Sequence, residues 1–262
     1  DNLVLASSIF LFYAGMEMMG IHVMDVKNPS KNYPKAIIIG SIITVCIFVL
    51  GTFALGFIIP AKDINLTQSL LIGFDNYFRY LSISWASPII AIALMFGVLA
   101  GVLTWVSGPS KGIFAVGKAG YLPPFFQKSN KNGVQLNILI IQGCIVTLLS
   151  SLYIVMDDVS VAFFLLSALT VGLYLIMYMM MYAAGIRLRY TQPKLIRSYR
   201  VPGGNTGMWL IGGVGFLAVL FSFIVTFFPP SQLPVGSPAT YTWLVVTGTT
   251  VFLAIPFIIS FA

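Results

Sequence analysis

An acidic side chain stands inside an apolar segment near the start of the sequence. Glu17 lies within LFYAGMEMMGIHVM, residues 11–24, which carries little other polarity. A carboxylate at the centre of a bilayer costs roughly 2.5–3.5 kcal/mol on insertion scales, so such acids usually face a protein cavity or a partner. Gly15 weakens a helix and lets its backbone approach a ligand. We interpret Glu17 as a cavity-facing carboxylate that exchanges a proton beside a helix break. The alternative is a structural acid paired with a neighbouring helix.

Five further residues carry groups that could act on a solute or a proton. His22 is interpreted as an interfacial hydrogen-bonding residue or as a pH sensor, since histidine titrates near neutrality. Trp105 lies deep in an apolar segment, where an indole either fills the core or closes over a ligand. Tyr174, Tyr178 and Tyr182 recur every four residues and share one helix face. Tyr182 fits an interfacial position, whereas the other two hydroxyls need partners, either on a neighbouring helix or along a polar path.

The composition indicates that this chain is surrounded by lipid. Hydrophobic residues make up 58% of the sequence, charged residues only 8%, and the mean hydropathy is +0.97. A soluble domain has about a quarter of its residues charged, so a soluble fold is excluded. The net charge of +7 is explained by the positive bias of cytosolic loops rather than by binding to nucleic acid. With one histidine, and with Cys46 and Cys144 in apolar runs, the sequence predicts no metal site and no cofactor.

Seven segments reach the roughly 20 apolar residues that a membrane helix needs. We place these spans at Leu3–Met24, Pro34–Ile59, Ala86–Ala115, Val134–Met156, Val161–Ile186, Met208–Phe228 and Ala239–Phe261. The segment between the second and third spans is too polar to cross, and we predict a re-entrant or surface helix there. Gly97 and Gly101 in the third span are four residues apart, which predicts close helix packing.

Basic residues predict the orientation of these spans. Lysine and arginine concentrate in three loops, residues 27–35, 111–133 and 187–207, which the positive-inside rule assigns to the cytosol. Seven spans with an outer N-terminus are also typical of rhodopsins. A retinal protein needs a lysine in its last helix, but no lysine follows Lys194, which argues against this class. The sequence does not open on Met and it ends in an apolar run. We expect both ends to be cuts within a longer transporter.

Several motifs in series carry a resemblance to a known family. The stretch YAGMEMMGIHVMDVKNPSKNYPKA resembles the sixth helix and the following loop of amino acid–polyamine–organocation transporters. TWVSGPSKGIF, YLPPFFQKSNKNGV, LSALTVGLYLIMY and YRVPGGNTG resemble later stretches of the same family. The resemblance covers nearly the whole chain. It is closest to the bacterial glutamate/γ-aminobutyrate antiporters of acid resistance.

The resemblance implies an all-α integral membrane protein with a leucine-transporter-type inverted-repeat fold. The family has twelve helices, and its first ten form two inverted five-helix repeats. Residues 1–190 would then be the second repeat, family helices six to ten, and residues 191–262 would be helices eleven and twelve. The first repeat would be absent from this chain. The implied partners are an amino acid substrate, the lipid bilayer of the bacterial inner membrane and the missing N-terminal repeat.

The resemblance also implies roles for individual residues. Glu17 matches an acid associated with gating or proton coupling, and His22 matches a histidine at the same offset. The expected substrate-binding or gating residues are Tyr13, Gly15, Glu17, Trp105, Tyr174 and Tyr178. The glutamate exchangers carry an acid four residues before the tryptophan, where this sequence has Gly101.

The implied activity is an antiport of glutamate for γ-aminobutyrate that depends on pH or on protons, with no enzymatic step. A permease or exchanger for another amino acid or a polyamine is one alternative. A non-transporting membrane sensor or scaffold is a weaker one.

Overall fold

The computed structural model describes residues 15–60, 64, 68–156, 159–197, 199–229 and 237–261. Within these ranges the regular structure is entirely helical. The α-helices are α1 (Pro29–Ile58), α2 (Ser69–Tyr80), α3 (Ser87–Lys118), α4 (Leu136–Ser150), α5 (Leu152–Val155), α6 (Val159–Thr191), α7 (Gly204–Thr226) and α8 (Pro238–Phe261). Short 3-10 helices cover Met16–Asp25, Ser84–Ala86 and Pro124–Gln127.

Six helical stretches of the described chain are long and apolar enough to cross a membrane. They are Pro29–Ile58, Ser84–Lys118, Leu136–Val155, Val161–Thr191, Gly204–Thr226 and Pro238–Ile259. A helix satisfies its own backbone hydrogen bonds, which is the condition for crossing lipid. The all-α integral membrane class is therefore confirmed, and six of the seven predicted spans coincide with these stretches.

The first predicted span, Leu3–Met24, is described only from Gly15 onward. Its described part is a 3-10 helix rather than the α-helix that the apolar run predicts. Tyr13 lies outside the described residues.

Three predicted loops are shorter than the sequence suggests. Parts of the expected loops 27–35, 111–133 and 187–207 are helical, because α1 begins at Pro29, α3 continues to Lys118 and α6 continues to Thr191. The prediction counted only apolar residues. A helix continues into the polar layer as long as its backbone bonds are made, and lysine and arginine reach water along their aliphatic stems. The loop boundaries were therefore wrong by several residues at each of these helix ends.

The fourth predicted span is also interrupted. Val134–Met156 was expected to be continuous, but α4 ends at Ser150 and a single turn, α5, follows from Leu152. Ser151 Oγ donates a hydrogen bond of 2.6 Å to the Leu148 carbonyl. Serine hydroxyls compete with the backbone for such carbonyls, which favours a break at this point.

The described chain forms two compact units, which are described separately. One consists of the residues up to Ile38 together with those from Leu148 on, and the other is Ile39–Thr147. In the second unit the segment predicted to be a re-entrant or surface helix contains α2. Asp75 on α2 accepts a hydrogen bond of 2.8 Å from Ser87 Oγ, which connects α2 to the start of α3. Asp75 also forms an ion pair of 2.9 Å with Arg79 within α2.

The first unit is built around α6, which packs on α7 and α8. One buried cluster joins Phe164, Leu165 and Ala168 of α6 to Tyr241 and Val245 of α8. A second buried cluster joins α6 to α7, through Val171, Leu175 and Val219. The two buried clusters follow one another along α6, so this helix is the central packing element of the unit.

The entry into α7 depends on a close approach of two backbone segments. A β-carbon added at Gly207 would overlap the Pro202 carbonyl oxygen. The Gly207 amide meanwhile donates a hydrogen bond of 3.0 Å to the Gly203 carbonyl. The turn before α7 therefore leaves no room for a side chain at Gly207.

Gly207→Ala is expected to destabilise the protein, because the obstructing atom belongs to the backbone and cannot rotate away. Overpacking of this kind typically costs about 1–3 kcal/mol. Gly213→Ala on the same helix is the matched control, since its β-carbon would meet only Trp209 at 3.8 Å, an ordinary contact. Thermal unfolding of the purified variants checks this: a lowered midpoint is expected for Gly207→Ala alone. Equal midpoints for the two variants would contradict the close approach.

Candidate functional site

Gly15, two residues before the acid, does not have α-helical backbone geometry. Gly15 has φ 107° and ψ −9°, a left-handed conformation that glycine adopts readily. The 3-10 helix Met16–Asp25 follows directly and is ten residues long. Runs of this geometry rarely exceed about four residues, and long ones often mark hinges. A left-handed residue followed by a 3-10 helix thus stands where the sequence predicted a helix break. The residues before Gly15 lie outside the described part of the chain, and the break itself stays a prediction.

The Glu17 carboxylate holds the start of this 3-10 helix. Its Oε2 accepts a hydrogen bond of 3.1 Å from the Gly15 amide, two residues back in the chain. The Gly15 carbonyl accepts a bond of 3.1 Å from the Met18 amide. A carboxylate at a helix N-terminus is favoured, because the free amide groups there carry partial positive charge.

The same carboxylate oxygen connects the 3-10 helix to α6. Tyr178 Oη donates a hydrogen bond of 2.7 Å to Glu17 Oε2, a length typical of a hydroxyl bonded to an acceptor oxygen. Tyr174 lies one turn away, with its ring centroid 5.9 Å from that of Tyr178. Four of the predicted site residues, Gly15, Glu17, Tyr174 and Tyr178, thus come together.

A cavity lies beside this hydrogen bond. It has a volume of about 340 Å³, near the lower end of the range for ligand pockets. Its lining residues are Met16, Glu17, Tyr178, Met181, Tyr182, Gly215, Ala218 and Val219. The carboxylate and the phenol hydroxyls are the polar side-chain groups of this lining. Glu17 therefore both pairs with a neighbouring helix and faces a cavity, so the two interpretations of this acid are compatible.

The second oxygen of Glu17 is available for a ligand or a proton. Glu17 Oε1 is buried and makes no hydrogen bond to any described residue. An ionised carboxylate accepts several hydrogen bonds, and leaving a buried acceptor unsatisfied costs about 1–3 kcal/mol. A proton, a water molecule or an ammonium group would satisfy this oxygen.

The remaining predicted residues lie elsewhere. Trp105 is on α3, in the other unit, with 42% of its surface exposed. Gly97 and Gly101 are on the same helix, and no atom of the described residues lies within 4 Å of a β-carbon placed at either. Their predicted close packing is thus not formed within the described chain. His22 belongs to the 3-10 helix, but its side chain lies outside the described residues.

Sequence reasoning missed part of the cavity wall. Tyr182 was assigned to the membrane interface, but it lines the cavity one turn beyond Tyr178. Its ring occupies the space left by Gly215 on α7, where an added β-carbon would come within 2.6–3.0 Å of three ring atoms. The four-residue tyrosine spacing was a usable signal for Tyr182. No pattern in the sequence pointed to Gly215.

No group of three or more His, Cys, Asp or Glu side chains in the described part of the chain could hold a metal ion. The arrangement at Glu17 instead suits the binding or exchange of a proton or a small cationic group.

Comparison with known proteins places this chain in a family. A model of the amino acid permease family matches residues 2–251. The chain belongs to the amino acid permease family, as the resemblance to amino acid–polyamine–organocation transporters predicted.

Three relatives show how far the similarity extends. An uncharacterized transporter of Legionella pneumophila is 35% identical over 259 residues, which cover 99% of this chain and 56% of that protein. A glutamate/γ-aminobutyrate antiporter of Lactococcus lactis is 33% identical over 262 residues, covering 99% and 52%. A probable agmatine/putrescine antiporter of the same species is 23% identical over 231 residues, covering 87% and 49%. The chain thus spans about half the length of these relatives.

Tyr178→Phe is expected to lower the free energy of unfolding, because it removes the donor from α6 to the buried Glu17 carboxylate. Hydrogen bonds to charged groups contribute about 1.5–3 kcal/mol. Tyr153→Phe in the same unit is the matched control, since the Tyr153 hydroxyl makes no hydrogen bond to the described residues. Denaturant unfolding in detergent measures both variants. Equal losses of stability would show that the Tyr178–Glu17 bond is not special.

Proposed function

We propose that this chain is part of an amino acid antiporter that exchanges glutamate for γ-aminobutyrate in a pH-dependent manner. Membership of the amino acid permease family supports transport of amino acids. The similarity to a glutamate/γ-aminobutyrate antiporter supports the substrate pair. The observation that carries the proposal is the Glu17 carboxylate, which is bonded to Tyr178 and faces a cavity close to the left-handed Gly15.

The hydrogen bonds of Glu17 suggest how protons regulate exchange. When ionised, the carboxylate accepts charge-assisted bonds from the Gly15 amide and from the Tyr178 hydroxyl. Such bonds are roughly twice as strong as neutral ones. The ionised acid therefore fastens the 3-10 helix to α6. Protonation weakens both bonds and allows the 3-10 helix to separate from α6. On this mechanism acid pH opens the pathway and higher pH holds it shut.

The proposed roles extend to residues whose positions are described only in part. Tyr13, Gly15, Tyr174 and Trp105 would join Glu17 and Tyr178 in substrate binding or gating. His22 would be a second pH-sensing group. We assign no covalent step to any of these residues.

The rest of the transporter would come from outside this chain. Because the chain spans about half of its relatives, we propose that a preceding five-helix repeat supplies the opposite wall of the substrate path. Residues 1–190 would form the second repeat and residues 191–262 the last two helices. The protein would lie in the bacterial inner membrane, with the basic loops facing the cytosol and with a role in acid resistance.

Glu17→Gln in the full-length protein is expected to abolish the pH dependence of exchange, because glutamine resembles the protonated acid at every pH. Exchange of labelled glutamate for γ-aminobutyrate in proteoliposomes, measured from acid to neutral pH, provides the test. In the wild type, the exchange rate is expected to fall by more than about tenfold from acid to neutral pH. In Glu17→Gln, the rate at neutral pH should remain as high as at acid pH. Asp75→Asn is the control, since Asp75 is an acid of the other unit and its loss should leave the profile unchanged. A wild-type profile in Glu17→Gln would show that Glu17 is not the switch.

A second candidate function keeps the family and changes the cargo. Gly101 stands where the glutamate exchangers carry an acid, and the space around it is open among the described residues. A relative described as a probable agmatine/putrescine antiporter also matches 87% of the chain. These observations favour an exchanger for another amino acid or a polyamine.

A competition panel separates the candidates. Glutamate and γ-aminobutyrate are expected to inhibit uptake of labelled glutamate by the full-length protein, whereas arginine, agmatine and putrescine are not. Neutral amino acids of similar size provide the matched comparison, because they differ from glutamate mainly in charge. Stronger competition by a cationic compound would favour the second function. Failure of every compound to exchange would favour a non-transporting sensor or scaffold.

A further inference from the structure

A long apolar groove runs between α6 and α7, and Gly213 is one of its lining residues. It has a volume of about 800 Å³ and is lined by residues 183–191 of α6 and 209–217 of α7. Eight residues of helix correspond to about 12 Å, and the part from Ala183 to Arg187 accounts for about 6 Å of this length. The groove therefore reaches from the headgroup region into the outer part of one leaflet. Ile186, Trp209 and Leu217 form much of its wall. An aliphatic chain is the kind of ligand that fits this wall.

The outer end of the groove carries a cation that has no counterion among the described residues. Arg187 lines the groove and is exposed, and its guanidinium makes no hydrogen bond or ion pair with the described residues. Trp209 Nε1 donates a hydrogen bond of 2.9 Å to Tyr190 Oη, which fixes both rings beside Arg187. Tryptophan and tyrosine in such positions are typical of the membrane–water interface. The charged end of the groove therefore lies at headgroup level.

The sequence after Arg187 adds further positive charge and no acidic residue. Four more cations follow Arg187 within thirteen residues, at Arg189, Lys194, Arg197 and Arg200. Asp158 is the last acid in the sequence. Arg197 donates to the backbone carbonyls of Leu188 and Gln192, at 2.8 and 2.9 Å, rather than to a carboxylate. The groove thus combines an apolar length with a positively charged end.

We propose that this groove is a binding site for one anionic phospholipid, with an acyl chain between α6 and α7 and the phosphate at Arg187. Clustered basic residues next to a membrane helix attract anionic headgroups, whereas zwitterionic lipids lack the net charge that this end selects. A protein segment in the groove would need both an apolar face and an acid at Arg187. The lipid supplies both features in one molecule, and the site is separate from the cavity at Glu17.

The headgroup contact is tested with charge variants of the full-length protein. Phosphatidylglycerol and phosphatidylcholine with identical acyl chains are added in detergent, and retained lipid is counted by native mass spectrometry. The wild type is expected to retain phosphatidylglycerol preferentially. Arg187→Gln should lose at least about tenfold of that preference without losing phosphatidylcholine, and Arg187→Lys should restore part of it. Lys131→Gln, at an exposed lysine of the other unit, should behave as the wild type.

The acyl-chain contact is tested independently at Gly213. The nearest atom to a β-carbon there is Trp209 Cε3 at 3.8 Å, so a leucine side chain would extend into the groove. Gly213→Leu is expected to reduce retention of both lipids, and an unchanged thermal midpoint would show that the fold is intact. The proposal is overturned if Arg187→Gln keeps the wild-type preference or if folded Gly213→Leu retains both lipids. Both of these overturning results are expected if a part of the protein, and not a lipid, fills the groove.

Discussion

The hydrogen bond from Tyr178 Oη to Glu17 Oε2 is the contact on which the site depends. It spans 2.7 Å and joins a 3-10 segment to the buried scaffold helix α6. An intramembrane acid is tolerated only where it faces a partner or a polar cavity. Glu17 has both, since one oxygen is bonded to Tyr178 and the residue also lines the cavity. The cavity, the left-handed Gly15 and the acid therefore meet at this one contact.

The two sides of this contact differ in rigidity. α6 is held from both neighbouring helices by buried residues, and Leu175, one turn before Met179, is only 1% exposed. The 3-10 helix has the poorer hydrogen-bond geometry of its class over ten residues. A change in the charge of Glu17 acts equally on both sides. On the proposed mechanism, the segment with the weaker internal bonding, Met16–Asp25, is the part that moves.

Much of this arrangement was accessible from the sequence, because lipid imposes simple rules. Hydropathy located six membrane helices, and the glycine beside an acid indicated the left-handed backbone at Gly15. The interruption at Ser151 was not predicted, since it depends on one hydroxyl bonding to the Leu148 carbonyl. The pairing of Tyr182 with Gly215 was not predicted either, because it requires the register of α6 against α7. Local patterns report burial and breaks, whereas contacts between helices require the packed structure.

The charged groups of the cavity lining bear on the amino acid substrate proposed above. Among the described lining residues there is one carboxylate and there are two phenols, but no cationic side chain. An amino acid carries both a carboxylate and an ammonium group. For the proposed amino acid substrate, the Glu17 carboxylate is the group of this lining that would attract the ammonium group. The substrate carboxylate would be repelled by an ionised Glu17, so its donors must lie on other backbone or side-chain groups. On the proposed function, the substrate carboxylate therefore requires an electropositive group that the described lining of this cavity does not contain.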